Sequence, residues 1–367
     1  MVISKTIRSS LGAAVMAASI ASVAFTTCLA TSGLALAAPK KEFKLAWTIY
    51  VGWMPWQWAN ETGIVKKWAD KYGIKIDVVQ VNDYAESINQ YTAGGFDALT
   101  VTNMDALSTP AVGGVDTTAV IVGDFSNGND AVILKNKSKL SDIKGQKVNL
   151  VEFSVSHYLL ARALSTVGLK EKDLKVVNTS DADMAAAWKT KEVTSVVTWN
   201  PIVEEVLADK AAHKVFDSSQ IPGEIMDLTV VNTATLKDNP DFAKALTGIW
   251  YETLGVMVAK TPEGKAAREA MGKASGTDLA GFESQLAATK LFATPAEATA
   301  FTKSGDVSAT MDKVRKFLFE HNLLGQGSKS ADAVGIELAD GKVLGDKKKI
   351  GFRFNAEYMS MAAAGKL

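Results

Sequence analysis

Residues 47–58 read Trp-Thr-Ile-Tyr-Val-Gly-Trp-Met-Pro-Trp-Gln-Trp, and four of the chain's eight tryptophans fall within them. Leu45, Trp47 and Ile49 alternate with smaller or polar residues, so the spacing predicts a strand over Lys44–Tyr50. Gly52 breaks it, and Pro55 suits the first turn of a following helix, where its missing N–H leaves no bond unmade. In open α/β sheets ligands bind outside the carboxyl ends of the strands, and this strand-to-helix loop is such a place. Trp47 and Trp58 are read as core. Tyr50, Trp53 and Trp56 lie in or beside the loop, with Trp53 and Trp56 the candidates to face a cleft.

The alternation continues on either side. Strands are predicted over Ile74–Val81, Ala98–Thr102, Thr117–Gly123 and Asp130–Leu134, with helices over Pro55–Tyr72, broken at Gly63, and Tyr84–Ala93. A second unit follows: strands Lys147–Val151, Lys175–Asn178 and Ser195–Thr198, and helices Ser154–Val167, Asp181–Trp188 and Pro201–Ala208. Ile225–Val231 returns toward the first unit, and from Pro240 the chain reads as mostly helical. Alternating β and helical runs argue for an α/β fold with parallel-rich sheets wound by helices. A chain that leaves one such unit, builds another and returns makes two lobes joined by two hinge crossovers, able to close on a ligand. The expected division is a first lobe of 41–129 plus 232–367 and a second of 130–231.

Residues 1–37 read as a cleaved signal peptide: Lys5 and Arg8 give a positive start, Leu11–Phe25 is apolar, and Ala35-Leu36-Ala37 offers a cleavage site. The single cysteine, Cys28, lies within that segment, so the mature chain would hold no disulfide, thiol nucleophile or Cys–metal site. An exported, cysteine-free protein is expected in the periplasm. The formal charge of zero over 367 residues argues against a nucleic-acid partner. There is no Gly-Lys-Ser/Thr phosphate loop and no His-Glu-x-x-His. His157, His213 and His321 stand far apart in sequence, and His157 reads as a structural residue on a helix. No catalytic residue, metal or cofactor is expected.

Charge placement is more informative. Between Lys75 and Lys135 there is no Lys or Arg, while Asp77, Asp83, Glu86, Asp97, Asp105, Asp116, Asp124 and Asp130 all occur. The strand-end loops of the second unit match: 148–161 holds Glu152, 192–209 holds four acids, and 215–236 holds Asp217, Glu224 and Asp227, none with a Lys or Arg. A cleft built from these loops is acidic and aromatic. Anions call for Arg, Lys or helix amides, whereas a cation can lie on an indole face and be held by carboxylates. The candidate ligand contacts are Trp53, Trp56, Asp105, Asp130, Glu152, Trp199 and Asp227. Capping competes as the role of Asp105, and a turn or hinge role as that of Asp130 and Asp227. Trp199-Asn200-Pro201 repeats the strand–Trp–Pro-helix arrangement of the opening loop, so one aromatic loop on each lobe would sandwich a flat ligand.

These marks resemble a known family. Gly52…Pro55…Gly63, Thr92-Ala93-Gly94-Gly95-Phe96-Asp97, Ser126-Asn127-Gly128-Asn129-Asp130, Leu140–Val148, Ser156-His157-Tyr158-Leu159-Leu160, Trp199-Asn200-Pro201, Ser218–Gly223 and Phe354–Met359 are together similar to the periplasmic substrate-binding proteins of ABC importers of the nitrate/sulfonate/taurine and thiamine-precursor type. The resemblance implies a type II-like periplasmic binding protein fold, a small-molecule ligand and an ABC permease of the inner membrane as partner. A monomer is expected. The Trp-rich opening and Trp-Asn-Pro look like the branch encoded beside urea carboxylase genes, which implies guanidinium or urea as cargo. The family's usual anion-handling bases have no match in the loops above, which puts nitrate and sulfonate in doubt. Other readings of the same resemblance stay open: nitrate, taurine, sulfonate or a pyrimidine precursor as cargo, a pyrimidine synthase of related fold, and a receptor for a membrane sensor.

Overall fold

The computed structural model describes residues 40–367; the signal peptide expected over 1–37, with Cys28, lies outside them. β1 (Glu42–Trp47) alternates exposed and buried residues until Leu45 and is buried from there on. It pairs in parallel with β2 (Lys75–Gln80) and β3 (Ala98–Thr102). β4 (Thr117–Ser126) then leads through Asn127-Gly128-Asn129 to β5 (Asp130–Lys135), the first strand of a second sheet. That sheet is completed by β6 (Lys147–Leu150), β7 (Lys175–Asn178), β8 (Ser195–Trp199) and β9 (Ala212–Asp217), in the order β7-β6-β8-β5-β9. β10 (Met226–Asn232) returns, and β11 (Thr289–Leu291), β12 (Gly335–Glu337), β13 (Val343–Leu344) and β14 (Ile350–Phe354) extend the first sheet, ordered β13-β12-β14-β4-β10-β3-β1-β2 with β11 on β4.

Each sheet is parallel apart from the strands that serve the crossings and short edge pieces. β5 is antiparallel to both β8 and β9, and β10 is antiparallel to both β3 and β4. Both sheets are therefore mixed. This shifts one expected boundary: the strand kept with the second lobe up to residue 231 is central to the first sheet. The region beyond Pro240 is mostly helical as expected, but β11–β14 also lie in it; these are strands of two to five residues, too short for periodicity to mark them.

The helices needed below are α1 (Pro55–Glu61), α2 (Tyr84–Thr92), α3 (Val155–Thr166), α4 (Pro240–Val258) and α5 (Gly305–Glu320). Asp83 caps α2 by accepting from the Glu86 N–H, and Ser154 caps α3 by accepting from the Ser156 N–H. Gly63, with φ of +81°, separates α1 from the next helix at the expected break. α4 begins with Pro240 and buries Phe242, Leu246, Trp250, Leu254 and Met257. The Phe242 ring stacks on Phe43 of β1 at 4.3 Å. A Cβ added at Gly248 of α4 would sit 2.4 Å from the Trp68 ring. Gly248→Ala is therefore expected to destabilise the fold by about 1–3 kcal/mol through overpacking, read as a lower thermal midpoint with ligand binding unchanged.

Candidate ligand-binding site

The site grows out of strand register. β4 runs three residues past the expected end at Gly123, so Asp124 lies inside the strand. Asp227 of β10 stands directly opposite it, and on its other side opposes Thr102 of β3. Residues directly opposite across an antiparallel pair share a face, with Cβ atoms about 4.5–5.5 Å apart. Pairing alone thus sets two carboxyl groups side by side. Asp130 opens β5 and opposes Trp199 at the end of β8. The two crossovers are tied where these strands meet: Ser126 Oγ and Ser218 Oγ lie 2.7 Å apart, and the Gly128 N–H donates to Ser218 Oγ at 2.7 Å.

A chamber opens beside these carboxyls, lined by Tyr50, Trp53, Tyr84, Thr102, Asp130, Val155, Trp199, Ile225 and Asp227. None of the lining residues is Lys, Arg or His. Its aromatic wall is continuous. Tyr50 meets Trp53 edge-on at 5.2 Å, Trp53 lies 5.9 Å from Tyr84, and Tyr84 meets Trp199 edge-on at 5.4 Å. The space is small: the centre of a water-sized sphere can move through about 20 Å³, where one water needs roughly 10–15 Å³. A compact ligand of a few heavy atoms fits; a longer one does not fit with the walls as they stand. The walls come from both sheets, since Tyr84, Thr102 and Asp227 belong to the first and Asp130, Val155 and Trp199 to the second or its helix. Two hydrogen bonds cross between them: the Val155 N–H donates to Asp105 Oδ2 at 3.3 Å and the Tyr84 N–H to Asp181 Oδ1 at 3.2 Å.

Electrostatics follows from burial without a counter-charge. Asp105 is fully enclosed, and desolvation lifts its carboxyl to about 6 although hydrogen bonds from Tyr84, Thr102 and Val155 pull it down. Tyr84 Oη donates to Asp105 Oδ2 at 2.7 Å and Thr102 Oγ1 at 2.9 Å. Burial raises Asp124 to about 7, against hydrogen bonds from Asp227 and Tyr50. Burial raises Asp130 to about 7 as well, with Ser126 opposing. Asp227 is driven well above the carboxylate range by burial first and the neighbouring Asp124 charge second. Asp124 Oδ2 and Asp227 Oδ2 are buried with no protein hydrogen-bond partner. Tyr50 Oη donates to Asp124 Oδ1 at 3.1 Å, and burial holds the Tyr50 phenol far above its ordinary range, so it remains a donor. Four carboxyl groups thus face or back a small, largely apolar space, and what would relieve them is a cation carrying several N–H donors.

The structure brings Trp53, Trp199, Asp130 and Asp227 to the chamber wall and sets Asp105 behind it, under Tyr84. It places two candidates elsewhere. Trp56 is wholly buried on α1, its ring 5.5 Å from Trp250, in the layer behind the wall. Glu152 is half-exposed outside the chamber, in a turn whose N–H donates to Asn178 Oδ1. Sequence reasoning passed over Asp124, Tyr84 and Thr102. Asp124 reads as a turn acid until the extra length of β4 is known, and Tyr84 reads as the start of an amphipathic helix. The single-sign stretch is also less bare in space than in sequence. Distant bases neutralise several of its acids: Lys40 pairs with Asp97, Arg353 Nη2 with Asp116 at 2.9 Å, and Arg162 Nε and Lys313 Nζ with Glu224 at 2.8 and 2.6 Å.

Gly52 has a specific steric reason. A Cβ there would meet Tyr50 Cε1 at 2.5 Å and Asp124 Oδ2 at 2.6 Å. Gly52→Ala is expected to push the Asp124–Tyr50 pair out of place and weaken ligand binding at least tenfold, about 1.4 kcal/mol, which titration calorimetry would read; an unchanged affinity would remove Asp124 from the site.

A family model described as "NMT1/THI5 like" matches residues 61–264. The chain belongs to the NMT1/THI5-like family. The family match runs from α1 through the whole second sheet to the helix after α4. Among relatives, the taurine-binding periplasmic protein of Escherichia coli (strain K12) is 26% identical over 129 residues, covering 34% of this chain and 40% of that one. The curated relatives are matched over 26% to 60% of their own lengths. Among solved structures, the alkanesulfonate-binding protein SsuA from Xanthomonas axonopodis pv. citri bound to MOPS aligns with a TM-score of 0.65 at 15% identity, covering 81% of this chain and 99% of that chain. The periplasmic nitrate-binding protein NrtA from Synechocystis PCC 6803 aligns with a TM-score of 0.54 at 13% identity, covering 89% and 99%. This likeness establishes the periplasmic binding protein fold for the NMT1/THI5-like chain. Among the described residues no helix is long and apolar enough to cross a membrane.

Proposed function

We propose that the protein is an exported solute-binding protein that closes on a small planar cation, guanidinium first, and delivers it to an ABC permease of the inner membrane. One observation carries the reading: a small aromatic chamber holds buried carboxyls and has no Lys, Arg or His in its lining. The sulfonate and nitrate named for its relatives are anions and taurine carries a sulfonate, and an anionic group in this chamber would meet four buried acids with no opposite charge. A flat cation against Trp53 or Trp199 gains about 0.5–2 kcal/mol when desolvated. Its N–H groups would satisfy Asp227 Oδ2, Asp124 Oδ2 and Asp130, each as a charge-assisted bond. Asp105 would act through Tyr84 as a positioning residue. The role is binding rather than catalysis, and import and ligand sensing share the same closure.

Urea is the second reading, and the raised carboxyls favour it specifically: with one proton shared by Asp124 and Asp227, the chamber can offer a donor to a neutral carbonyl. Calorimetry with guanidinium, urea, taurine and nitrate separates the classes. Guanidinium heat alone, or far tighter than the rest, is the expected result. Tight nitrate or taurine binding with no guanidinium heat would defeat the proposal.

A further inference from the structure

His157, Glu171 and His321, far apart in sequence, come together at one point between the two halves of the molecule. His157 lies on α3, which packs on β5 and β8 of the second sheet, and Glu171 lies in the turn just after α3. His321 follows the last residue of α5, which is held to the first sheet's side: Asn103, directly after β3, lies with Nδ2 3.5 Å from Met311 Sδ of α5. His321 Nε2 meets Glu171 Oε1 at 2.6 Å and its Nδ1 meets the Phe317 carbonyl at 2.8 Å. Both acceptors are oxygens without a proton to give, so satisfying both requires the doubly protonated imidazolium. His157 Nδ1 instead accepts from the Phe153 N–H at 3.1 Å, which fixes the neutral tautomer with its proton on Nε2, 3.1 Å from Glu171 Oε2. That tautomer is also why the three groups do not make a metal site: the nitrogen that a metal would need carries the proton.

We propose that Glu171 and His321 form an acid-set latch that joins the two lobes in the closed state. Protonated His321 at the end of α5 grips Glu171 on the far lobe, with His157 Nε2 3.1 Å from the second carboxylate oxygen. When His321 loses its proton, one of its two nitrogen contacts must fail and the lobes part more readily. The facing charges are mixed: Glu171 and Glu320 favour the imidazolium, and the cations around them oppose it. Lys170 and Lys172 flank Glu171 in the turn, Arg162 faces from α3, and Lys316 and Glu320 stand on α5 itself. Burial lowers the imidazole, but Glu171 and the Phe317 carbonyl outweigh it and the net shift is upward; Glu171 is held down at about 2. The contribution is therefore complete below the ordinary histidine value of about 6.5 and is lost as pH rises through the elevated one. The latch rests on the two-lobed fold alone and not on the identity of the cargo.

The test uses ligand-free, full-length mature protein with EDTA present. Distance between dyes placed one on each lobe, or small-angle scattering, is followed between about pH 5.5 and 8.5. The wild type should open as pH rises, with the closed-to-open ratio falling about fivefold. H321Q and E171Q should each be more open in acid and flat across the range. Identical pH profiles in the wild type and both variants would overturn the latch, as would compaction that EDTA abolishes, which would assign the donors to a metal. If one variant fails to fold, the other still decides.

Discussion

Asp227→Asn is expected to lower guanidinium affinity by about two to three orders of magnitude, because truncating one partner of a buried charged hydrogen bond costs roughly 2–5 kcal/mol. The substitution keeps the shape of the side chain, removes its charge and turns one acceptor oxygen into an N–H donor. Asp227 stands opposite Asp124 in the β4–β10 register and lines the chamber itself, so a cargo held there meets its carboxyl directly. Asp124→Asn should behave in the same way, and the double variant should lose less than the sum, since the two share one environment. Glu152→Gln, outside the chamber, should stay within about twofold. Binding by Asp227→Asn within about fivefold of the wild type would show that the cargo does not meet this carboxyl. Urea binding that survives the change would favour the neutral cargo.

The second large effect is on pH, and it runs in opposite directions with and without ligand. In the folded state Asp105 holds its proton to about 6 and Asp124 and Asp130 to about 7, and Asp227 is also raised, all because burial penalises the charged form. In the unfolded chain these groups return to about 3.9. Between those values the folded state binds more protons, so stability of the ligand-free protein falls as pH rises from about 4 through about 7, and goes on falling until Asp227 has lost its proton. A drop of about 3–5 °C in thermal midpoint between pH 5.5 and 8 is expected. A cation needs the same carboxyls ionised, so guanidinium affinity rises over that interval, approaching tenfold per pH unit for each proton displaced. Saturating guanidinium should abolish the alkaline loss of stability. Urea, uncharged, should show no such rise. A ligand-free midpoint that climbs with pH would mean that these carboxyls are not in a desolvated site.

Much of this architecture could be read from residues. The first strand, which runs over 42–47 rather than the expected 44–50, the break at Gly63, the chain's passage between two sheets near Asn129 and the return near 225 follow from local signals: period-two alternation, Pro at a first helical turn, Gly where φ is positive. Trp53, Trp199, Asp130 and Asp227, which line the chamber, were legible as candidates because ligand loops follow strand ends and carry those residue types. Trp56 was not distinguishable from Trp53, three residues away. Which of the two faces the chamber depends on where the short turn over Val51–Trp53 hands over to α1, and periodicity does not resolve a boundary that fine.

The sequence by itself determined the alternating α/β pattern, the excursion and return of the chain, and the local shortage of bases near its acids and tryptophans. Only the tertiary structure decided which acids stay uncompensated. Arg353 and Lys40 reach Asp116 and Asp97 from elsewhere in the chain, while strand register sets Asp124 against Asp227 where no base arrives. The physical reason is range. Dihedral preference and periodicity act over a few residues, but the neutralisation of a buried charge is settled by whichever group lies within a few ångströms in space, however distant it is along the chain.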